Sequence, residues 1–402
     1  MVSRLSRRAF LAGGGAVVGG ATVGLAGTAL GAEPATAPAL PEDATGRSTV
    51  PFHGTHQAGV RTPPQAAATL VAVDLAAGTT PADLTRLLRA WTQDAERLTA
   101  GVPALGDTEP ELATVPAGLT VTVGLGPGAF DVTGLADRRP EWLAPLPAFG
   151  IDRLDERWSG GDVVVQVCAD DAVTVAHAVR VLAKQARPFG TVRWVQHGFR
   201  NSAGSLPAGL THRNLMGQVD GTVQPLDGVE DDLVWVGDDG PGWLRGGTGM
   251  VVRRIAMHLD AWDEQDRPAR ERVVGRRLSD GSPLTGTREE HPADLTAVGE
   301  DGLPVIDTAA HIRRAGPLHR RERMLRRPYN YAAPPPPGQL SDSGLLFIAF
   351  QADVAAQFVP IQQRLDELDL LNQWTTPVGS AVFAVLPGVA PGQYLGQTLL
   401  ES

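Results

Sequence analysis

Between residues 70 and 125 the apolar positions change period twice. Leu70-Val71-Ala72-Val73-Asp74-Leu75 is a short apolar run and predicts a strand. Thr80-Pro81 then opens a stretch in which Leu84, Leu87, Leu88, Trp91, Ala95 and Leu98 recur on one helical face, with Thr80 as N-cap and Pro81 as the first helical residue. Leu119–Leu125 alternates apolar and polar, as a half-buried strand does. Val163–Val167, a helix near Ala172–Lys184 and the strand Thr191–His197 make a second strand–helix–strand unit. The C-terminal half repeats this grammar. Met250–Ile255 is a strand candidate, and Leu345–Phe350 is a continuous apolar strand. A helix with Phe358, Ile361, Leu365 and Leu368 inward follows, then the strand Ala381–Leu386. The simplest architecture is α+β: two halves, each an antiparallel sheet backed by helices. The boundary falls near Leu210–Leu215, giving domains at 47–213 and 214–402. Asp260–Pro337 holds few regular elements, and irregular stretches that long inside a compact domain usually carry function.

Residues 1–46 read differently. Ser6-Arg7-Arg8-Ala9-Phe10-Leu11 opens a run of small and apolar residues reaching Ala32, followed by the Pro/Ala-rich Glu33–Ala39. A charged start, a weakly apolar middle and small residues near Ala29–Ala37 describe a cleavable export signal. The paired arginines followed by Phe-Leu make it the twin-arginine kind, which implies the twin-arginine export machinery as a partner. The stretch is too rich in glycine for a stable span, and no other segment approaches one, so no membrane span is expected after cleavage. The expected location is extracellular, periplasmic or at the cell envelope.

Composition narrows the function classes. A formal net charge of −10 gives no electrostatic reason to bind nucleic acid. The single cysteine, Cys168, cannot form an internal disulfide and ends an apolar run, where it reads as a small core residue. His53 and His56 sit three apart in a Gly-containing loop but lack a Cys or carboxylate partner at zinc-like spacing, and read as structural. No Cys-x-x-Cys-His attachment site and no phosphate-binding glycine loop is present.

Three features could carry chemistry. Asn214-Leu215-Met216-Gly217-Gln218-Val219-Asp220-Gly221-Thr222 places a carboxylate between glycines, where backbone can approach a ligand closely. Val305–Arg313 sets His311 in a mostly apolar run, as a core histidine or a ligand. Arg313, Arg314, Arg320, Arg321, Arg323, Arg326 and Arg327 then crowd fifteen positions, as a solvated basic face or an anion site.

Taken in order, Gly217-x-x-Asp220-Gly221, His311-Ile312-Arg313 and Met324-Leu325-Arg326-Arg327-Pro328-Tyr329-Asn330-Tyr331 resemble the haem-site series of the dye-decolourising peroxidases. The match looks closest to the twin-arginine-exported, deferrochelatase-like branch. Pro51–Gly59, Met257–Trp262, Gly275–Gly281 and Trp374–Ala381 extend the similarity over nearly the whole chain after the signal. The resemblance implies two ferredoxin-like domains with one haem b in the C-terminal one. His311 would be the proximal iron ligand, with Asp369 as partner to its other ring nitrogen. Asp220 and Arg326 would work on hydrogen peroxide over the distal face. Val219, Gly221, Thr222, Arg313 and Phe347 would touch the cofactor. Pro328, where related sequences often carry Gly, restricts Arg327 to extended conformations and leaves open which of Arg326 and Arg327 faces the iron. The fifteen residues from His311 to Arg326 can span up to about 50 Å, enough to pass from one haem face to the other.

The implied activity is peroxide-driven oxidation of dyes, phenolics or other organic electron donors in single-electron steps. An unperturbed Asp titrates near pKa 3.9, so an Asp shuttle predicts an acidic optimum for dye oxidation. Bulky donors would pass electrons through a surface aromatic, with Tyr329, Tyr331, Trp262 and Trp374 as candidates. The alternatives are iron release from haem, as in deferrochelatases, and a non-catalytic exported haem carrier. A homo-oligomer is left open.

Overall fold

The computed structural model describes residues 41, 44–207 and 209–401. The expected export signal, Ser6–Ala39, therefore lies outside the described residues. The chain from Pro41 onward is one compact unit. None of its described helices is long and apolar enough to cross a membrane.

The N-terminal half runs β1 (Ala67–Leu75), α1 (Pro81–Thr99), β2 (Thr120–Leu125), the short α2 (Pro127–Val132), β3 (Val163–Ala169), α3 (Ala172–Ala186) and β4 (Gly190–Phe199). Helix α1 starts where its sequence says. Thr80 accepts from the Asp83 amide while Asp83 accepts from the Thr80 amide, so a reciprocal capping box closes the first turn. The C-terminal half runs β5 (Thr248–Met257), α4 (Leu259–Asp263), α5 (Arg267–Val274), α6 (His311–Ala315), β6 (Leu325–Arg326), β7 (Tyr329–Ala333), β8 (Asp342–Gln351), α7 (Val354–Leu368), β9 (Thr375–Val385) and α8 (Gln397–Leu400).

In the first half the strand order is β4-β1-β3-β2; in the second it is β9-β5-β8-β7. Both are the antiparallel order of a ferredoxin-like fold, with the first and third strands central and each crossover helix passing over one intervening strand. Edge pairings β2–β9 and β4–β7 join the sheets, and the β5–β8 ladder closes the eight strands into a ring. One apolar cluster, including Leu70, Cys168, Trp194, Tyr329, Phe350 and Phe383, fills the inside. A second lies outside, under α1, α3 and α7.

Closure explains two departures from the sequence expectations. Strand β2 is buried at every position, not half-buried, because Thr120 and Thr122 point into the ring and bond inside it. Thr122 donates to the Ala58 carbonyl at 2.6 Å, and Gln65 donates to Thr120 at 3.2 Å. Strand β7 was not expected, and it pairs with β8 immediately after Pro328. A third departure concerns α7, whose inward face ends early: Leu368 is 52% exposed at its last turn.

Candidate functional site

The site lies on the outer face of the C-terminal sheet. On β8, Leu345 and Phe347 project to this side, where a third apolar cluster gathers Met216, Met257, Trp262, Val273 and Val274. Leu215, Ile312, Leu370 and Leu371 pack against it. These come from the Gly217-x-x-Asp220-Gly221 hairpin, from the end of β5, from α4, α5 and α6, and from the turn after α7.

His311 is the first residue of α6. The turn before it is fixed by Asp307, which accepts from the Ala309 amide at 2.8 Å. The Arg313 guanidinium donates to the carbonyls of Leu295, Ile306 and Asp307, so its mapped contacts hold the loop that carries His311. The imidazole Nδ1 donates to Asp369 Oδ2 at 2.6 Å. Asp369 caps the turn following α7, its Oδ1 accepting from the Leu371 amide at 3.0 Å, while the Leu370 amide bonds the Ala309 carbonyl. The carboxylate is thus tied to the segment it supports. Burial opposes charging the ring, but the Asp369 carboxylate outweighs burial and holds His311 above its ordinary pKa. Asp220 adds to that pull and Arg326 acts against it, so both lie within electrostatic reach of the imidazole. With Nδ1 committed, Nε2 is the ring nitrogen left without a hydrogen-bond partner among the described residues.

Asp220 and Arg326 come together from elements 106 residues apart, Arg326 Nη1 lying 3.4 Å from Asp220 Oδ1. The Asp220 hairpin is built by Asn214, whose side-chain oxygen accepts from the amides of Met216 and Gln218 and whose amide nitrogen donates to Asp220 Oδ2 at 3.2 Å. Gly217 turns it at φ +81°, a conformation suited to glycine. Arg326 is fixed at its backbone by Gln224, which accepts from the Arg326 amide and donates to its carbonyl. Its Nη2 donates to the Val223 carbonyl at 3.1 Å. Asn214 and Gln224 escaped the sequence reading, although Asn214 stands at the head of the motif that was singled out.

The ambiguity between neighbouring arginines disappears. Arg327 is 1% exposed and points into the ring, bonding the Thr62 carbonyl and Gln65, so Arg326 alone joins Asp220. The arginine cluster disperses in the same way: Arg314, Arg320 and Arg323 pair with Glu367, Asp232 and Glu230. Val219 packs over Gly281, and the Thr222 hydroxyl donates to Glu289. Gly221 has φ +130°, another glycine conformation. Phe347 stands 6.1 Å from Phe358, ring centre to ring centre. Tyr329, Tyr331 and Trp262 are buried, not surface, aromatics; Trp374 meets Trp262 edge-on at 5.3 Å. Cys168 is buried, His53 bonds Glu96, and His56 stacks on Trp235.

Two family models match the chain. The Dyp-type peroxidase N-terminal model covers residues 57–200 and the Dyp-type peroxidase C-terminal model residues 211–390. A dye-decolorizing peroxidase of Thermobifida fusca is 39% identical, with 98% of this chain and 97% of that protein aligned. A deferrochelatase of Yersinia pestis is 36% identical over 99% and 95%. The crystal structure of a DyP-type peroxidase from Cellulomonas bogoriensis superposes with a TM-score of 0.88 at 60% identity, over 89% of this chain and all of that one.

The residues present fit the haem that this family uses. No group of three or more His, Cys, Asp or Glu side chains that could hold a bare metal ion occurs among the described residues. One imidazole with an unpartnered Nε2, beside an apolar cluster, is the donor set suited to an iron whose remaining protein-independent ligands belong to a macrocycle. The chain belongs to the dye-decolourising, Dyp-type peroxidase family and is a haem peroxidase.

Proposed function

We propose that His311 holds the haem iron, that Asp220 is the acid–base group for hydrogen peroxide, and that Arg326 stabilises the charge that develops on it. The observation that carries this reading is the Asp220–Arg326 pair, 3.4 Å apart and within electrostatic reach of the His311 imidazole. Haem, when bound, supplies an iron with an open position for peroxide and accepts electrons singly from organic donors. Asp220, through Oδ1 or Oδ2, takes one peroxide proton and returns it to the departing oxygen. Arg326 offers a guanidinium where negative charge grows as the O–O bond breaks. Its backbone is already tied at both N–H and C=O, so little reorganisation is needed at that moment. Asp369 keeps the imidazole in one tautomer and orientation and raises its basicity. The fifteen-residue connection from His311 to Arg326 is long enough to let both residues serve one haem.

Iron release from haem is the second reading, favoured by the relative named deferrochelatase. An acid–base carboxylate joined to an arginine serves peroxide chemistry more directly, and a carrier without turnover has little use for either. Peroxide consumption with a one-electron donor, compared between wild type and Asp220→Asn, tests the choice. A slowed variant supports peroxidase action; equal rates with iron set free support release. We further propose export by the twin-arginine route, on the strength of Arg7-Arg8-Ala9-Phe10-Leu11, and action outside the cytoplasm. Fusing residues 1–46 to a folded reporter, with Arg7 and Arg8 intact or changed to Lys, tests that.

A further inference from the structure

The Asp220 hairpin is gripped from outside by one carboxylate. Glu289 Oε1 accepts from the Thr211 hydroxyl at 2.6 Å and from the Thr222 hydroxyl at 2.8 Å. These two threonines stand on opposite arms, just beyond the rung on which the Asp220 amide donates to the His212 carbonyl at 2.9 Å. Thr211 precedes His212, and Thr222 lies two residues past Asp220. One oxygen therefore staples the two arms of the hairpin at its open end, next to the rung of the residue that must face Arg326. Hydrogen bonds to an ionised acceptor are shorter and stronger than neutral ones, which suits a single atom to this task.

Glu289 is itself held. Arg276 Nη1 donates to the Glu289 carbonyl at 2.9 Å and to the Gly281 carbonyl at 2.6 Å, and Gly281 sits against Val219 of the hairpin. Arg276 lies within electrostatic reach of both Glu289 and Arg326. We infer that Glu289 is a positioning residue for the peroxide step, acting through Thr211 and Thr222 to hold the Asp220 carboxylate against Arg326. The inference rests on the reading of Asp220 as the acid–base group.

The test uses Glu289→Ala, Glu289→Gln and Thr222→Val in the full chain, with two readouts. Amide hydrogen exchange across residues 212–221, measured without haem, reports hairpin order. The rate of peroxide consumption, measured with haem, reports chemistry. Glu289→Ala is expected to speed exchange at Asp220 and slow the peroxide step on the order of ten- to a hundredfold, as loss of positioning does. Thr222→Val changes both in the same direction. Glu289→Gln restores most of both, because its carbonyl oxygen still accepts from two hydroxyls. Unchanged exchange and rate in Glu289→Ala, or a Glu289→Gln protein as slow as Glu289→Ala, would overturn the clamp. Asp220→Asn, run alongside, separates the two failures. If Asp220→Asn is not slowed, the acid–base reading falls. If it is slowed while Glu289→Ala is not, only the clamp falls.

Discussion

Asp369 holds the Nδ1–H of His311 at 2.6 Å while capping the turn that leads into β9. A single carboxylate therefore links the tautomer of the imidazole to the end of α7. Asp369→Asn keeps the shape and removes the charge, so haem affinity is expected to fall by roughly 10–100-fold, as for other partners of metal-bound histidines. The reduction potential of the bound haem should rise, because a less basic imidazole favours oxidised iron less. Titration of the protein with haem, followed by potentiometry, checks both.

Arg326 and Arg327 are adjacent, yet their substitutions should fail in different ways. Arg326→Leu leaves the Gln224 bonds to its backbone intact and removes the charge beside Asp220, so the peroxide step should slow by about 10²–10³-fold with little change in melting temperature. Arg327→Ala strands Gln65 and the Thr62 carbonyl inside the ring and leaves a cavity, costing about 3 kcal/mol of stability. Stopped-flow mixing with peroxide and thermal melting on both variants distinguish them.

His212 gives the hairpin a pH-dependent stability. Burial first, and then the Arg200 guanidinium bonded to its Nδ1, push it down to about 4 from 6.5, with Arg326 adding to the effect and Asp220 opposing it. Its folded-state pKa lies below the unfolded one, so the unfolded chain binds the extra proton. Stability is complete above about pH 6.5 and is lost as pH falls toward about 4, by ~3 kcal/mol in all. His212→Gln, whose carbonyl can still accept from Arg200, should flatten that slope. Urea midpoints at pH 7 and pH 4.5 for both proteins provide the check.

Gly275 ends α5 at φ +89°, and a Cβ there would come within 2.8 Å of Ile312 Cγ1. Gly275→Ala combines backbone strain with displacement of the residue next to His311. It should cost about 1–3 kcal/mol and weaken haem binding, whereas Gly302→Ala, at φ +78° with open space around it, should cost only the strain. Haem content after purification and melting temperatures of the two variants test the difference.

The sequence made local structure legible where local forces decide it. The capping box of α1 and its face from Leu84 to Leu98 form from neighbours in the chain, and so do the apolar runs of β3 and β8. Thr120 and Thr122 misled because polar residues facing the inside of a closed ring mimic a solvent-facing strand. Tyr329–Ala333 looked irregular because its pairing partner lies some thirteen residues on and Pro328 masks its start. At the site, the residues touching charge, His311, Asp369, Asp220 and Arg326, lay in recognisable motifs. Asn214, Gln224 and Glu289 bond the Asp220 side chain, the Arg326 backbone and the hydroxyls of Thr211 and Thr222, and nothing in their spacing announces it. The arginine cluster shows the converse: a dense local pattern that folding divides among Asp232, Glu230, Glu367 and the ring interior.

The central claim is that Asp220 and Arg326 act on peroxide at an iron held by His311. The most direct test records the absorption of the haem-loaded protein before and after one equivalent of hydrogen peroxide, in wild type, His311→Ala, Asp220→Ala and Arg326→Ala. The account predicts a rapid, donor-reversible spectral change in wild type, impaired haem binding in His311→Ala, and haem bound but the change slowed by about 10²-fold or more in the other two. Normal haem binding without His311, or an undiminished rate without Asp220 and Arg326, would contradict it.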